Sequence, residues 1–153
     1  MNKYLLIVVL AVAAYFAITP RSGTPDRAVA VAPADMSSGL RGSDNTTLEN
    51  AIANHLSGQQ LAGQGTVTKF LPDDTNGSQH QRFIVRLGSG RTILVAHNID
   101  LAGRIDTLRA GDAVDFYGEY EWNPKGGVVH WTHRDPQGHH PAGWIKHKGQ
   151  TYQ

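Results

Sequence analysis

Residues 114–133 read V-D-F-Y-G-E-Y-E-W-N-P-K-G-G-V-V-H-W-T-H and contain the clearest alternation in the chain. Apolar and polar side chains alternate up to Trp122, which is typical of a strand with one buried face. The turn formers at 123–126 follow, and residues 128–133 return to an extended pattern. The stretch therefore predicts an antiparallel hairpin.

The register of this hairpin follows from matching its faces. A slip of one residue would set Trp131 against the polar face of the first strand. The predicted core pairs are Tyr120 with Val129, Gly118 with Trp131, and Phe116 with His133, and the end pair is Glu121 with Val128. On the outer face, Glu119 meets His130 and Asp115 meets Arg134. Such pairs are either complementary groups on a solvated face or carboxylates that orient an imidazole for proton transfer or metal binding.

Three earlier strands are predicted at residues 63–71, 82–87 and 91–96, the last two joined by the loop Gly88-Ser89-Gly90. In that hairpin Val85 faces Ile93 in the core, while Ile84 meets Leu94 on the outer face. An apolar pair on an otherwise polar face suggests that another segment covers it.

Two helical segments are predicted around these strands. Thr46 and Glu49 form a capping box, and the helix that follows ends near Gly58. The spacing of apolar residues within 98–110 predicts a second, shorter helix or helical turn. Together the elements predict a mostly β fold: a small five-stranded OB-like Greek-key barrel with one or two short helices and an irregular C-terminal segment. A two-sheet sandwich is the main alternative.

The start of the chain predicts export. Lys3 precedes an uninterrupted apolar run at residues 4–18, which suits a signal peptide or an uncleaved signal anchor. Residues 19–42 are rich in Ala, Pro, Ser and Gly and predict a flexible tether. The domain then spans 43–153, with a periplasmic or extracellular location, next to the inner membrane if the leader is uncleaved.

Composition narrows the function. Cysteine is absent, which excludes disulfides, thiolate metal sites and a cysteine nucleophile. The chain has 14 basic and 13 acidic residues; without Lys3, Arg21, Arg27 and Asp26 these become 11 and 12. A net charge of about −1 beyond residue 27 gives no global field for nucleic acid, so a polyanion would need a local patch.

The end of the chain carries a distinctive pattern. It comprises F-Y-G-E-Y-E-W at 116–122 and G-G-V-V-H-W-T-H-R-D-P at 126–136, followed by Gly138, His139, Gly143, Trp144 and His147. This pattern resembles a family of small exported bacterial proteins known only as a domain of unknown function, over roughly residues 45–153. The resemblance implies an exported OB-like domain and assigns no catalytic residue.

Histidines concentrated near the C-terminus suggest a metal site. Since His130 and His133 are three apart on a strand, they point to opposite faces. The turn at 136–138 gathers a better set. The predicted ligands are His133, Asp135, His139 and His140, with zinc or copper as the metal. The alternative is that these rings bond to backbone groups and pin an irregular segment.

A second set of candidates suits ligand binding. The predicted residues are Arg82, Arg86, Tyr117, Glu119, His130 and Trp144. The arginines form a basic strip for a polyanion, and the rings could stack on bases or sugars. Trp144 has an alternative role as a hydrophobic latch on Ile84 and Leu94.

These features favour an exported OB-like binding or interaction module, with an oligonucleotide, a glycan or a protein as its partner. The alternative is a metal-dependent, phosphodiesterase-like hydrolase that uses the C-terminal histidines. The sequence contains no Gly-x-Ser-x-Gly, no His-Glu-x-x-His and no phosphate-binding glycine loop, so it leaves catalysis open.

Overall fold

The computed structural model describes residues 45–153, which form one helix and seven strands. The helix α1 spans Thr46–Ala53. The strands are β1 Gln59–Asp74, β2 His80–Arg86, β3 Thr92–Asn98, β4 Ala113–Glu121, β5 Val128–His130, β6 Trp144–His147 and β7 Gln150–Tyr152. The predicted leader at 1–18 and tether at 19–42 lie outside the described residues. Within the described part of the chain, no helix has the length and apolar character needed to cross a membrane.

Five strands pair in a closed ring in the order β1-β2-β3-β5-β4 and back to β1. The long strand β1 makes this closure possible, because residues 59–66 pair with β4 and residues 66–74 pair with β2. The β3–β5 pair is parallel and the others are antiparallel. The predicted mostly β class with five strands closing on themselves is confirmed, and the strands form one sheet rather than the two of a sandwich.

Alternating burial along these strands fills the interior of the ring. Phe83, Val85, Val95, Tyr120 and Val129 are completely buried. The predicted register of the β2–β3 hairpin is confirmed, with the pairs Val85–Ile93, Phe83–Val95, Ile84–Leu94 and Arg86–Thr92. We call residues 119–121 of β4 its upper half and residues 115–117 its lower half. In the upper half the β4–β5 hairpin also has the predicted register, with the pairs Glu121–Val128, Tyr120–Val129 and Glu119–His130.

Below Glu119 the predicted register is wrong, because β5 ends at His130 and Trp131 adopts a positive φ of 52°. The lower half of β4 pairs instead with β6. Its pairs are Asp115–Lys146, Phe116–Ile145 and Tyr117–Trp144, in place of the predicted Asp115–Arg134, Phe116–His133 and Gly118–Trp131. Ile145 is completely buried and so supplies the apolar core position that His133 would have occupied poorly.

The C-terminal segment is also more regular than predicted. Only residues 131–143 are irregular, and β6 and β7 then form a hairpin. Its two turn residues, Lys148 and Gly149, have φ values of 48° and 81°, the conformation of a tight two-residue hairpin turn. The Lys-Gly dipeptide between two short alternating runs was the available sequence signal.

The short helix or helical turn predicted within residues 98–110 is observed as turns, and the Ala102 N–H donates to the Asn98 carbonyl at 3.2 Å. The side chain of Gln81 forms hydrogen bonds with both backbone groups of Ile105, which a longer helix would have paired within itself. It accepts the Ile105 N–H at 3.0 Å and donates to the Ile105 carbonyl at 3.3 Å. Ile105 and Leu108 are buried as their spacing suggested, but Leu101 is 46% exposed.

The predicted capping box is replaced by contacts with the sheet. The N-cap is Asn45, whose side chain accepts the Gln64 N–H at 2.8 Å and donates to the Gln64 carbonyl at 3.0 Å. The Glu49 carboxylate accepts a hydrogen bond from Ser89 and lies 3.4 Å from Arg91. These contacts fix α1 against β1 and the β2–β3 loop.

Replacing Gly143 with alanine should destabilise the domain by about 2 kcal/mol, a typical cost of overpacking. A Cβ at this position would meet the carbonyl oxygens of Trp131 and Tyr117, which are backbone atoms without freedom to move aside. Chemical denaturation measures the loss. Gly88→Ala is the matched control, because a Cβ there meets nothing within 4 Å. Equal stabilities for the two variants would contradict the tight docking of residue 143.

Candidate functional site

Residues 131–143 form a loop that leaves the sheet at Trp131 and returns to it at Gly143. The Gly143 N–H donates to the His133 carbonyl at 2.9 Å, which closes the loop at its base. Gly118 of β4 lies beside the point where the chain leaves β5. A Cβ at this position would meet the His130 carbonyl oxygen and, at 2.9 Å, the Thr132 methyl group. The glycine therefore provides the space in which the chain changes direction.

Asp135 organises this loop from within. Its carboxylate accepts the backbone N–H groups of Gln137, His139 and His140 at 3.0, 2.8 and 3.0 Å. The pKa of Asp135 is lowered because the Gln137 N–H and then the other two stabilise the charged form. This carboxylate acts as a backbone clamp that holds His140 in place.

His140 reaches from the loop to the outer face of β4. Its Nε2 lies 2.6 Å from Oε2 of Glu119, and its Nδ1 lies 2.9 Å from the Pro141 carbonyl oxygen. The ring also stacks on Trp131, with centroids 4.0 Å apart and planes 11° from parallel. Both ring nitrogens of His140 therefore face oxygen atoms.

Glu119 lies between two imidazoles. Its second oxygen, Oε1, is 3.6 Å from Nε2 of His130, which lies opposite it on β5 as the register predicted. Burial lowers the pKa of His130, and the negative charge of Glu119 offsets part of that effect. A lowered pKa keeps this ring neutral at neutral pH, so its contact with Glu119 is not an ion pair there.

Glu121 completes the group, two residues along the same face of β4. One ligand atom from each of Glu119, Glu121 and His130 lies within 4.8 Å of the others, and each of these residues is half-buried. Burial raises the pKa of Glu121, and the nearby charge of Glu119 raises it further. Hydrogen bonds from Ser57 and Gly58 lower this pKa and offset part of the increase. Two carboxylates and an imidazole therefore lie close together at a position that is partly shielded from water.

Gln60 borders the same group from the other side. It pairs with Glu119 across the β1–β4 ladder, so both side chains lie on the outer face. The amide nitrogen and oxygen of Gln60 are shielded from solvent, yet neither has a hydrogen-bond partner among the described residues. Leaving such a group unpaired costs on the order of 1–3 kcal/mol.

An aromatic pair lies on the lower half of the same face. Tyr117 of β4 and Trp144 of β6 are directly paired, with ring centroids 6.1 Å apart and planes at 30°. Lys146 places its Nζ 4.6 Å from the centroid of the Trp144 ring. The Trp144 ring, considered above as a latch on Ile84 and Leu94, lies on the outer face beside Tyr117, while the neighbouring Ile145 is buried in the core.

The structure gathers four of the six predicted ligand-binding residues on one face, namely Tyr117, Glu119, His130 and Trp144. It leaves Arg82 and Arg86 on β2, where Arg82 donates to the Pro72 carbonyl at 2.8 Å and Arg86 is exposed. The basic strip and the aromatic pair are therefore separate surfaces, divided by β1 in the ring order.

The predicted metal set of His133, Asp135, His139 and His140 is dispersed among other contacts. His133 contacts the Arg134 carbonyl at 2.8 Å, Asp135 holds backbone groups, and His139 is exposed. Within residues 45–153, the ligand-type atoms that converge belong instead to Glu119, Glu121 and His130. Sequence reasoning missed Glu121 and Gln60, although Glu119 and Glu121 shared one face in the period-two pattern.

A separate network holds β6 against the turn before β4. The buried His147 places Nε2 2.9 Å from the Asp112 carboxylate and Nδ1 3.3 Å from the Thr107 hydroxyl. Hydrogen bonding from His147, together with the Arg109 N–H and Lys148, lowers the pKa of Asp112. The network fixes the C-terminal hairpin on the scaffold.

His97 links the loop to the core and is completely buried. Its Nε2 donates to the Gly103 carbonyl at 3.1 Å, so Nδ1 accepts from the Thr132 hydroxyl at 2.8 Å. The neutral ring satisfies both contacts. Burial lowers the pKa of His97 from 6.5 to about 4.

Comparison with family models shows a match over residues 30–153 to the family described as "Protein of unknown function (DUF3465)". The match covers more than half of the chain, which therefore belongs to this family. Comparison with curated proteins gives no match.

His97 should make stability depend on pH between about 6.5 and 4. Because its pKa is lower in the folded state, its contribution is fully present above the unfolded value and is lost as pH falls towards the folded value. Denaturation at pH 7 and pH 4.5 should show a loss that His97→Gln reduces by about 2 kcal/mol.

The exposed His139 supplies the control for this comparison. His139→Gln should keep the full loss of stability between the two pH values. An equal loss in wild type and His97→Gln would contradict a neutral buried His97.

Proposed function

We propose that this member of the family is a binding module, and that the outer face of β4 and β6 is its ligand surface. The observation that supports this most directly is the pair of Tyr117 and Trp144. Both rings are half-buried and held by two hydrogen-bonded strands, so their orientation is fixed before any ligand arrives. A rigid aromatic surface loses little conformational entropy on binding.

The charges around the pair indicate the ligand class. Asp115, Glu119 and Glu121 alternate along the outer face of β4, and only Lys146 opposes them from β6. A phosphate backbone would be repelled by three carboxylates. A sugar can stack its apolar face on the rings and donate its hydroxyl hydrogens to carboxylates, so we propose an uncharged glycan.

Binding of a polyanion at the basic strip has weaker support. The neighbouring Arg91 of the β2–β3 loop lies 3.4 Å from Glu49 and is partly neutralised. Arg82 is engaged with the Pro72 carbonyl. Arg86 is exposed at the edge of a cavity of about 330 Å³ that Asp115 also lines, so a carboxylate stands beside the cation there.

A hydrolase that uses His133, Asp135, His139 and His140 also has weaker support. Hydrolysis requires a metal-bound or activated water held at one point by converging ligands. The Asp135 oxygens accept three backbone N–H groups, and the His133 ring contacts a carbonyl oxygen. These side chains serve the architecture of the loop.

Export of the domain is part of the proposal and is supported by Lys3 and the apolar run at 4–18. Fractionation of cells that express the full chain should place it outside the cytoplasm, and the N-terminal sequence of the mature form should show whether the leader is removed. Cytoplasmic recovery of the full chain would contradict export.

Trp144→Ala should weaken binding of an uncharged oligosaccharide by about tenfold or more, because the stacking surface is removed. A panel of neutral and anionic oligosaccharides and oligonucleotides can be screened by intrinsic fluorescence and calorimetry. Circular dichroism should show that the variant keeps its fold.

Phe70→Ala provides a matched aromatic control. Phe70 is 38% exposed and lies on β1, outside the proposed surface, so its loss should leave affinity unchanged. Binding confined to anionic ligands, or equal affinities for wild type and Trp144→Ala, would overturn the assignment of this surface.

A further inference from the structure

We propose that Glu119, Glu121 and His130 form a binding site for a divalent transition-metal ion, with Zn²⁺ as the fitting example. The site uses the upper half of the β4 outer face and shares Glu119 and Glu121 with the proposed glycan surface. It is tested with Zn²⁺ alone and the glycan surface through Trp144, so either proposal can fail without the other. It also differs from the loop histidines that the sequence suggested.

The positions of the ligands follow from the sheet. Glu119 and Glu121 are two apart on β4 and share a face, and His130 lies opposite Glu119 on the neighbouring strand. Ligands on two paired strands are held by backbone hydrogen bonds, which makes their relative placement reproducible. Such rigidity is what a preorganised metal site requires.

The distances suit a small cation. Zn²⁺ binds imidazole nitrogen and carboxylate oxygen at about 2.0–2.2 Å, so two ligand atoms in a tetrahedral site lie roughly 3.3–3.5 Å apart. Oε1 of Glu119 and Nε2 of His130 are 3.6 Å apart. All three ligand atoms lie within 4.8 Å of one another, so side-chain adjustments of about 1 Å separate the group from tetrahedral spacing.

The chemistry of the donors also fits. An imidazole nitrogen and carboxylate oxygens are suitable ligands for Zn²⁺. Without a cation, two partly buried carboxylates face each other at close range, which is unfavourable. A divalent ion would neutralise both.

His140 provides a second layer around the site. It contacts Oε2 of Glu119 at 2.6 Å, which leaves Oε1 directed towards His130. Trp131 fixes the ring by stacking, and Asp135 fixes the backbone of the same residue. Hydrogen-bonded partners of this kind orient metal-binding carboxylates. His140 is therefore a positioning residue for Glu119.

The unpaired side chain of Gln60 gives independent support for a polar ligand near Glu119. Gln60 is the cross-strand partner of Glu119, and the nitrogen and oxygen of its carboxamide are shielded from solvent and lack a hydrogen-bond partner among residues 45–153. Buried amides in folded proteins are almost always satisfied. A metal-bound water or a ligand carried by the ion would supply the missing partner.

The test is calorimetric titration of the full chain with Zn²⁺ alone, using protein purified without a histidine tag and treated with a chelator. Wild type should bind one Zn²⁺ tightly, and Glu121→Gln should bind it about 100-fold or more weakly. Zn²⁺ should raise the melting temperature of wild type but not that of the variant. His140→Gln should weaken binding by about 10- to 100-fold.

Controls separate this site from the loop histidines. His139→Ala should bind Zn²⁺ like wild type, and His130→Gln should reproduce the loss seen with Glu121→Gln, which guards against a folding defect in one variant. The proposal is overturned if wild type shows no saturable binding. It is equally overturned if His139→Ala abolishes tight binding while Glu121→Gln and His130→Gln retain it.

Discussion

The central constraint in this domain is that one edge of β4 has two successive partners. Residues 119–121 pair with β5 and residues 115–117 pair with β6, so the chain must leave the sheet and return to it within 13 residues, 131–143. Each departure leaves backbone groups that need new partners. The stacked His140, the Asp135 clamp and the tight approach at Gly143 all follow from this division of the strand.

The division also explains how the outer face acquires two different surfaces. The upper half of β4 meets His130 of β5 and receives His140 from the loop, which yields a cluster of carboxylates and imidazoles. The lower half meets Trp144 of β6, which yields a pair of aromatic rings. Because both halves belong to one strand, the two surfaces are fixed relative to each other. An ion at the first and a sugar at the second would bind to the same rigid element.

Much of the fold could be predicted because period-two alternation fixes both the strands and their faces. The pairs Val85–Ile93 and Glu119–His130 followed from matching core positions across short hairpins. Within 98–110 the pattern left a short helix and a helical turn open, because the hydrogen bonds from Gln81, 24 positions away, that hold Ile105 leave no signal in the local sequence. The pairing of Ile145 with Phe116 was equally hidden, since a four-residue strand carries too little pattern to reveal a distant partner. Among the site residues, His130 could be placed beside Glu119 because the two lie on strands joined by a short hairpin. His140 and Gln60 could not, because they reach Glu119 through contacts between distant parts of the chain.

Hydrogen exchange over residues 144–147 tests the central claim most directly, because pairing of β6 with β4 gives β4 its second partner and positions the aromatic pair. If the account is right, the peptide that contains Ile145 should be protected as strongly as β4 itself, with exchange requiring opening of the domain. Rapid exchange in this peptide while β4 stays protected would show that the C-terminal hairpin does not complete the sheet, and would contradict both the divided strand and the aromatic surface.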